Sequence, residues 1–315
     1  MTHILTLTMN PALDVSTSID KVVPTHKLRC AAAVTHPGGG GINVARVMHR
    51  LGSDCEALYL AGGATGQRLR QLLDREQVRQ QVIPIAADTR ESFSAHETSS
   101  GLDYRFVLPG PTVNPQEWAA CLAHIAALDT PPHYLVASGG LPPGVPDDFY
   151  ARLARLARER GSLLVLDTSG PALACALAEG VYLVKPSLRE LRGLSGLPLE
   201  TEADWRREAQ RIVHSGRAQI VALSLGEGGA LLATADITLR APGLRVDVRS
   251  TVGAGDSFVG GLVWALDQGR SMEQALRYGI AAGAGALLSS GTALCAAADV
   301  ERLQGSVEVA SDSAV

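Results

Sequence analysis

The chain lacks any run of about 18 apolar residues, so no membrane-spanning helix is expected. It lacks a basic stripe as well. With 28 Lys and Arg against 32 Asp and Glu, a net charge of −4, the sequence argues against a nucleic-acid partner. The start, Met1 to Thr8, has neither a basic leader nor a long apolar segment behind it, and reads as a first strand and not a signal peptide. Cysteine is sparse. The five residues Cys30, Cys55, Cys121, Cys175 and Cys295 show no paired spacing, which argues against a disulfide framework or a zinc site and predicts reduced core thiols in a cytoplasmic protein. Also missing are a P-loop of the form GxxxxGKS or GxxxxGKT and a well-placed GxGxxG after a strand. A phosphate donor, if one binds, is held another way.

What remains is ample material for a core: 46% hydrophobic and 19% charged residues in 315. From about Pro132 onward, short apolar strands alternate with helical patterns. The strands are His133–Ala137, Leu163–Leu166, Val181–Val184 and Ile220–Leu223, with helices at 147–160 and 202–215. Continuous apolar strands separated by helices predict a parallel sheet covered on both faces. Each strand ends in a polar residue (Ser138, Asp167, Lys185, Ser224), and ligands of open α/β sheets bind beyond the carboxyl ends of strands. The first third differs. Residues 15–36 and 89–108 hold more polar, partly alternating runs, with Ser99-Ser100-Gly101 as a hairpin turn, and predict a small one-faced sheet acting as a lid. Apolar surface on such a lid can make a dimer interface. Residues after about Ser306 read as a frayed tail.

Two glycine-rich segments carry the chemistry. In Ser250-Thr251-Val252-Gly253-Ala254-Gly255-Asp256, a carboxylate follows two glycines at the start of a helical apolar run. A glycine turn entering a helix leaves backbone N–H groups that bind an anion, and Asp256 beside them can take a proton from a bound hydroxyl. Donors for developing negative charge with a base alongside suit phosphoryl transfer. The second segment, Pro37-Gly38-Gly39-Gly40-Gly41-Ile42-Asn43, allows close approach of a ligand to the backbone, with the Asn43 amide able to donate to and accept from sugar hydroxyls; a flexible hinge is the alternative. Ser224-Leu225-Gly226-Glu227-Gly228-Gly229 is a third close-approach loop, for a nucleotide or simply a tight hairpin turn.

The segments at 37–46 and 250–261 together resemble the two signatures of the ribokinase-like PfkB carbohydrate kinases. Lys27–Cys30, Ala61–Gly66, Tyr104–Gly110 and Leu141–Val145 draw the resemblance toward the branch that phosphorylates phosphofructose. The resemblance implies a three-layer α/β/α fold with a mostly parallel central sheet and a small β lid, in one domain over 1–315. It implies ATP-dependent phosphorylation of fructose 6-phosphate at the 1-hydroxyl, giving fructose 1,6-bisphosphate, with ATP and Mg2+ required and K+ an added possibility. Fructose 1-phosphate and tagatose 6-phosphate are the rival substrates, and a non-catalytic sugar-phosphate sensor is the rival from another class.

By the same resemblance Asp256 is the base, with Gly253, Ala254 and Gly255 the anion hole. Asp14, Gly38, Gly39, Asn43 and Ser138 contact the sugar, and Lys27, Arg90 and Arg105 contact its phosphate. The cationic lid fits a substrate that already carries a phosphate. Lys185, Ser187, Ser224, Gly226, Gly228, Gly229 and Thr251 contact the nucleotide. Glu190 tunes Mg2+ through water, while Ser250, Val252, Ala286 and Gly291 offer oxygens to K+. Ser187 stands where the family carries Asn, which alters its contact to phosphate or metal-bound water. A homodimer joined through the lid is the implied assembly.

Overall fold

The computed structural model describes residues 3–313. The chain opens with β1 (Ile4–Thr8), β2 (Ala12–Ile19), β3 (Val34–Gly38), α1 (Gly40–Arg50), β4 (Cys55–Ala61), α2 (Gly63–Arg75) and β5 (Arg79–Pro84). Then come β6 (Arg90–Glu97), β7 (Leu102–Val107), α3 (Pro115–Ala126), β8 (Tyr134–Ser138), α4 (Phe149–Arg160), β9 (Leu163–Asp167), α5 (Gly170–Glu179) and β10 (Val181–Val184). The remainder is α6 (Leu188–Ser195), α7 (Glu202–His214), β11 (Ala218–Ser224), β12 (Ala230–Ala233), β13 (Ile237–Ala241), α8 (Ala254–Asp267), α9 (Met272–Leu287), α10 (Ala297–Gln304) and β14 (Ala310–Ser313).

Ten strands form one sheet in the order β14-β13-β12-β11-β10-β9-β8-β1-β4-β5. The run from β11 to β5 is parallel, and β12, β13 and β14 add antiparallel at one edge. Strand alternation sorts the side chains into two cores. In β4, Cys55, Ala57 and Tyr59 pack with Val44 of α1 and Phe258 and Leu262 of α8, while Leu58 and Leu60 pack opposite with Cys121 of α3 and Phe149 of α4. Each such buried Leu or Phe contributes about 1.5–3 kcal/mol, so the two cores hold the helical layers firmly against the sheet. Chain order reverses between β4 and β8 on either side of β1, and that switch point is where a ligand crevice opens in this architecture.

The second sheet has four strands, β3-β2-β6-β7, one pairing (β2 with β6) being parallel. It overlaps the two segments singled out for a lid, with β2 beginning at Ala12 and β3 ending at Gly38, both beyond the 15–36 bounds, and residues 20–33 between them contain no strand. Its β7 face is open: Leu102, Phe106 and Val107 are 56–61% exposed, an apolar strip that water wets.

Two expectations are corrected. The chain after Ser306 is not a frayed tail: Val307 is buried, and Ala310–Ser313 pairs with β13, whose free edge would otherwise leave its N–H and C=O groups without strand partners. Of the cysteines, Cys55, Cys121 and Cys295 are buried and Cys175 is half-buried, but Cys30 is exposed in the segment before β3. No helix among the described residues is long and apolar enough to cross a membrane.

Candidate active site

The glycine segment before α8 does what its composition allows. Gly253 is the N-cap of α8 with a left-handed φ of 77°, and no side chain caps the helix. A Cβ at Gly253 would overlap Leu294 Cδ2, so bulk is excluded as well as backbone strain. The first-turn amides of Ala254, Gly255 and Asp256 are therefore left without a side-chain cap, an arrangement suited to binding an anion.

Asp256 lies at the floor, half-buried. Its Oδ2 accepts from Asn43 Nδ2 at 2.8 Å, and its Oδ1 lies 3.5 Å from Ser138 Oγ. Burial, then the charge of Asp167, push its carboxyl up to about 6, against the pull of Asn43 and Lys185. A base near the working pH is suited to proton transfer.

The other glycine segment supplies the opposing wall. Gly39 caps α1 with φ 116°, and Cβ atoms at Gly38 and Gly40 would overlap Asp14 and Ser138. The loop thus threads between two candidate sugar contacts where side chains do not fit. Ile42 N donates to Thr8 Oγ1 at 2.8 Å, which ties the helix start to the end of β1. Asp14, on β2, is also pushed up to about 6 by burial, tempered by the positive charges of Arg105, Arg46 and Arg90. Arg105 is exposed on β7, and its charge acts on Asp14. Arg90 is more committed than its sequence position suggests: it donates to the carbonyls of Leu108 (2.9 Å) and Asn10 (3.1 Å), leaving Nε buried and unpaired. Lys27 stands exposed in the stretch between β2 and β3, outside the contacts that join the other residues.

On the far side of the sheet's switch point, Lys185 follows β10 and is buried, with Nζ 3.1 Å from Asp167 Oδ1. Burial works against its charge, but Asp167, Glu190 and Asp256 hold its pKa above the ordinary lysine value. A Cβ on Gly255 would sit 3.8 Å from Nζ, so the ammonium borders the anion-binding turn. Asp167 was recognisable only as a polar strand end, and it is the residue that anchors this lysine.

Ser187 and Glu190 form a capping box at α6: Glu190 N donates to Ser187 Oγ at 3.2 Å and Ser187 N donates to Glu190 Oε2 at 2.7 Å. Ser187 thus makes the helix cap that an Asn at this position could also make, since both residue types cap well. Ser224 closes β11 and meets Ser187 in an isolated bridge, with Ser224 N donating to Pro186 O at 2.9 Å. The Gly226–Gly228 segment is a 3₁₀ turn between the antiparallel strands β11 and β12, so the hairpin turn is real, and it borders Ser187 through Ser224. A Cβ on Gly229 would overlap Ala241 O.

Thr251 is exposed next to this turn. Arg249 N and Ser250 N both donate to Leu287 O, at 2.7 and 3.4 Å, and Leu294 packs on Gly253. Ser250, Val252, Ala286 and Gly291 thus lie on two stretches of chain joined behind the anion-binding turn. The buried hydroxyl of Thr292, without a hydrogen-bond partner, and that of Ser257, which faces the Cys295 thiol, sit in the same region. Among the described residues no cluster of three or more His, Cys, Asp or Glu is suited to hold a metal ion.

Uncapped amides, a carboxyl of raised pKa, a buried lysine and glycine loops on both sides are suited to moving a phosphoryl group onto a hydroxyl. Comparison with known proteins agrees. Residues 7–299 match the pfkB family of carbohydrate kinases. The chain is 48% identical over 300 residues to the ATP-dependent 6-phosphofructokinase isozyme 2 of Mycobacterium tuberculosis, covering 95% of this chain and 88% of that one. It is 33% identical to a 1-phosphofructokinase of Xanthomonas campestris, covering 87% of each. The crystal structure of phosphofructokinase-2 from Escherichia coli in complex with potassium superimposes with a TM-score of 0.93 at 40% identity, covering 97% of this chain and 99% of that one. The three-layer arrangement with its separate small sheet is the ribokinase-like fold, and the chain belongs to the pfkB family of carbohydrate kinases.

Proposed function

We propose that the chain, as one kinase unit over 1–315, transfers the terminal phosphoryl group of ATP to the 1-hydroxyl of fructose 6-phosphate. The observation that carries this is Asp256: a carboxylate of raised pKa at the uncapped start of α8, gripped by Asn43 from the sugar-side helix. Asp14, Asn43 and Ser138 orient the sugar hydroxyls, with the backbone of Gly38 and Gly39 close enough to shape the pocket. Asp256 takes the proton of the acceptor hydroxyl, whose oxygen attacks the terminal phosphorus in line. Lys185 and the amides of residues 253–256 stabilise the charge spreading over the phosphoryl oxygens. Ser187, Ser224, Thr251 and the 226–229 turn border the nucleotide. Closure of the small sheet over the crevice excludes water, and Arg105 with Lys27 and Arg90 supplies positive charge for the phosphate already on the sugar.

A divalent ion fits this site on terms the residues set. With no protein cage for a metal among the described residues, Mg2+ would be held by nucleotide phosphates and water, with Glu190 reached through water. The ion neutralises phosphate charge when bound. The joined 250–252 and 286–291 stretches, next to the buried, unpaired hydroxyl of Thr292, fit a K+ ion ligated by oxygens. The exposed strip of Leu102, Phe106 and Val107 fits a homodimer formed through the small sheet.

The decisive experiment is ADP release in a coupled assay, with kcat/KM compared for fructose 6-phosphate, fructose 1-phosphate and tagatose 6-phosphate. The expected result is a preference for fructose 6-phosphate of at least roughly tenfold, the discrimination one misplaced polar group gives. A preference for either rival sugar overturns the substrate, and no turnover of any sugar phosphate makes the protein a sensor.

A further inference from the structure

Behind the glycine loop lies a buried arginine that the proposed reaction does not use. Arg46, on α1, is fully buried. Its guanidinium forks onto the carboxylate of Glu76 at the end of α2, with Nε to Oε2 at 2.9 Å and Nη2 to Oε1 at 2.7 Å. The remaining nitrogen, Nη1, reaches three oxygens: Pro37 O at 2.9 Å, Thr292 O at 3.1 Å and Asn43 Oδ1 at 3.3 Å. Arg50, one turn on, reinforces the arrangement by donating to Glu76 Oε2 and to the carbonyls of Ala293 and Cys295. These two arginines therefore hold the glycine loop through Pro37 and the strip 292–295 behind Gly253. Arg46 also meets one face of the Asn43 side chain.

That last contact decides chemistry. An arginine side chain has five N–H donors and no acceptor, so the atom of Asn43 that faces it is the oxygen. The Asn43 NH2 group is then directed the other way, toward Asp256, at 2.8 Å. Were Asn43 free to turn over, its oxygen would face the carboxyl group and favour the protonated acid, which donates. We propose that Arg46 is a positioning residue for phosphoryl transfer: by fixing the amide of Asn43, it presents a donor to Asp256 and keeps that carboxylate ready to accept the proton of the sugar hydroxyl. Without touching substrate, it acts through Asn43. The proposal rests on Asp256 being the base.

Other charges also act on Asp256, namely Asp14 on β2, Asp167 at the end of β9 and Lys185 beyond β10. Arg46 itself acts on Asp14. The test must separate its hydrogen bond from its charge. Arg46→Met removes both, while Arg46→Lys keeps the charge and loses the planar fork that spans Glu76 and Asn43 together. For each, kcat/KM is measured against pH and divided by the wild-type value, so that titration of the substrates' phosphates cancels.

In both variants the acid limb is expected to move up by roughly one pH unit, the scale of one hydrogen bond to a charged group. The same changes made in an Asn43→Ala background should move it no further, because the route runs through the missing amide. A folded variant with lowered turnover and an unmoved limb overturns the proposal, leaving Arg46 a structural clamp. So does an equal shift in the Asn43→Ala background. Should Arg46→Met fail to fold, the lysine variant carries both arms. Asp256→Asn, assayed alongside, isolates the underlying assumption: if it turns over normally the base is misassigned, and if it is inactive while the Arg46 limb stays put, only the positioning role fails.

Discussion

Replacing Asp256 by Asn should make the protein more stable and nearly inactive in one step. The two side chains have the same shape, and an amide oxygen at position 256 can still accept from Asn43 Nδ2, so packing is preserved. What disappears is a charge poorly served by its surroundings. Burial and the neighbouring Asp167 raise the carboxyl to about 6 from a reference of 3.8. Because the folded-state value lies above the unfolded one, the folded state holds the proton more tightly. The unfavourable contribution is therefore absent below about pH 4, grows as the pH rises, and is complete above about pH 6. A difference of two units corresponds to about 3 kcal/mol, and water in the crevice trims this to about 2–3 kcal/mol. Urea unfolding midpoints at about pH 7.5 should report that gain for the variant, falling to roughly half at about pH 5. Turnover should fall about 10²-fold or more, the usual weight of a general base. An equal gain at both pH values would trace the effect to packing and not to ionisation, and no gain at the higher pH would refute the burial argument.

Three further changes address other parts of the site. Gly253→Ala forces a side chain into a φ of 77° against Leu294 Cδ2; strain and overpacking together should cost about 2–4 kcal/mol in unfolding free energy and lower kcat more than they raise KM. Glu190→Gln preserves the capping box, which accepts Gln as well as Glu, so unfolding midpoints should move by less than about 0.5 kcal/mol. The same variant should require several-fold more Mg2+ for half-maximal rate, and an unchanged Mg2+ titration would leave Glu190 as a helix cap only. Phe106→Asp charges the exposed strip on β7 and should halve the mass measured by light scattering if the small sheet is the dimer contact; an unchanged mass places the contact elsewhere.

The parallel sheet was legible because each strand from Tyr134 to Ser224 is a mainly apolar run that ends in, or is followed at once by, a polar residue, the pattern demanded of strands buried on both faces. The two glycine segments were legible for a related reason: a Cβ on Gly38, Gly40 or Gly41 would overlap Asp14, Ser138 or the Leu7 carbonyl, and Gly253 has a left-handed φ that favours glycine. The C-terminal strand was not, because Ala310–Ser313 has little apolar content of its own and is held by pairing with β13, a contact invisible to local pattern. Asp167 and Arg46 were hidden differently. Asp167 gains its role from Lys185, 18 residues later in sequence and 3.1 Å away in space. Arg46 sits on a helix whose other residues read as core, and a buried arginine is recognised only once Glu76, Asn43 and Thr292 have been brought around it.

The charges of the site are arranged by depth, and under the proposed function that arrangement orients the substrate. On the floor, Asp14 and Asp256 are both raised to about 6 by burial, so near neutral pH each is ionised and short of solvent donors. Sugar hydroxyls are suited to supply those donors; a phosphate dianion is not, and it would meet two like charges there. The buried cations Lys185 and Arg46 are already paired with Asp167 and Glu76, and the exposed positive charge lies at the rim, where Arg105 on β7 is near enough to Asp14 to lower its pKa. A sugar phosphate therefore enters with its phosphate toward the small sheet and its free hydroxyl toward Asp256. Reversal would place a dianion against the acidic floor and an uncharged hydroxyl against the arginine. A neutral hexose lacks the group that the rim attracts. Discrimination by phosphate is thus expected to weaken with salt, since the rim charges are solvent-exposed and screened, whereas the preference for a hydroxyl at the floor, built from buried groups, is expected to persist.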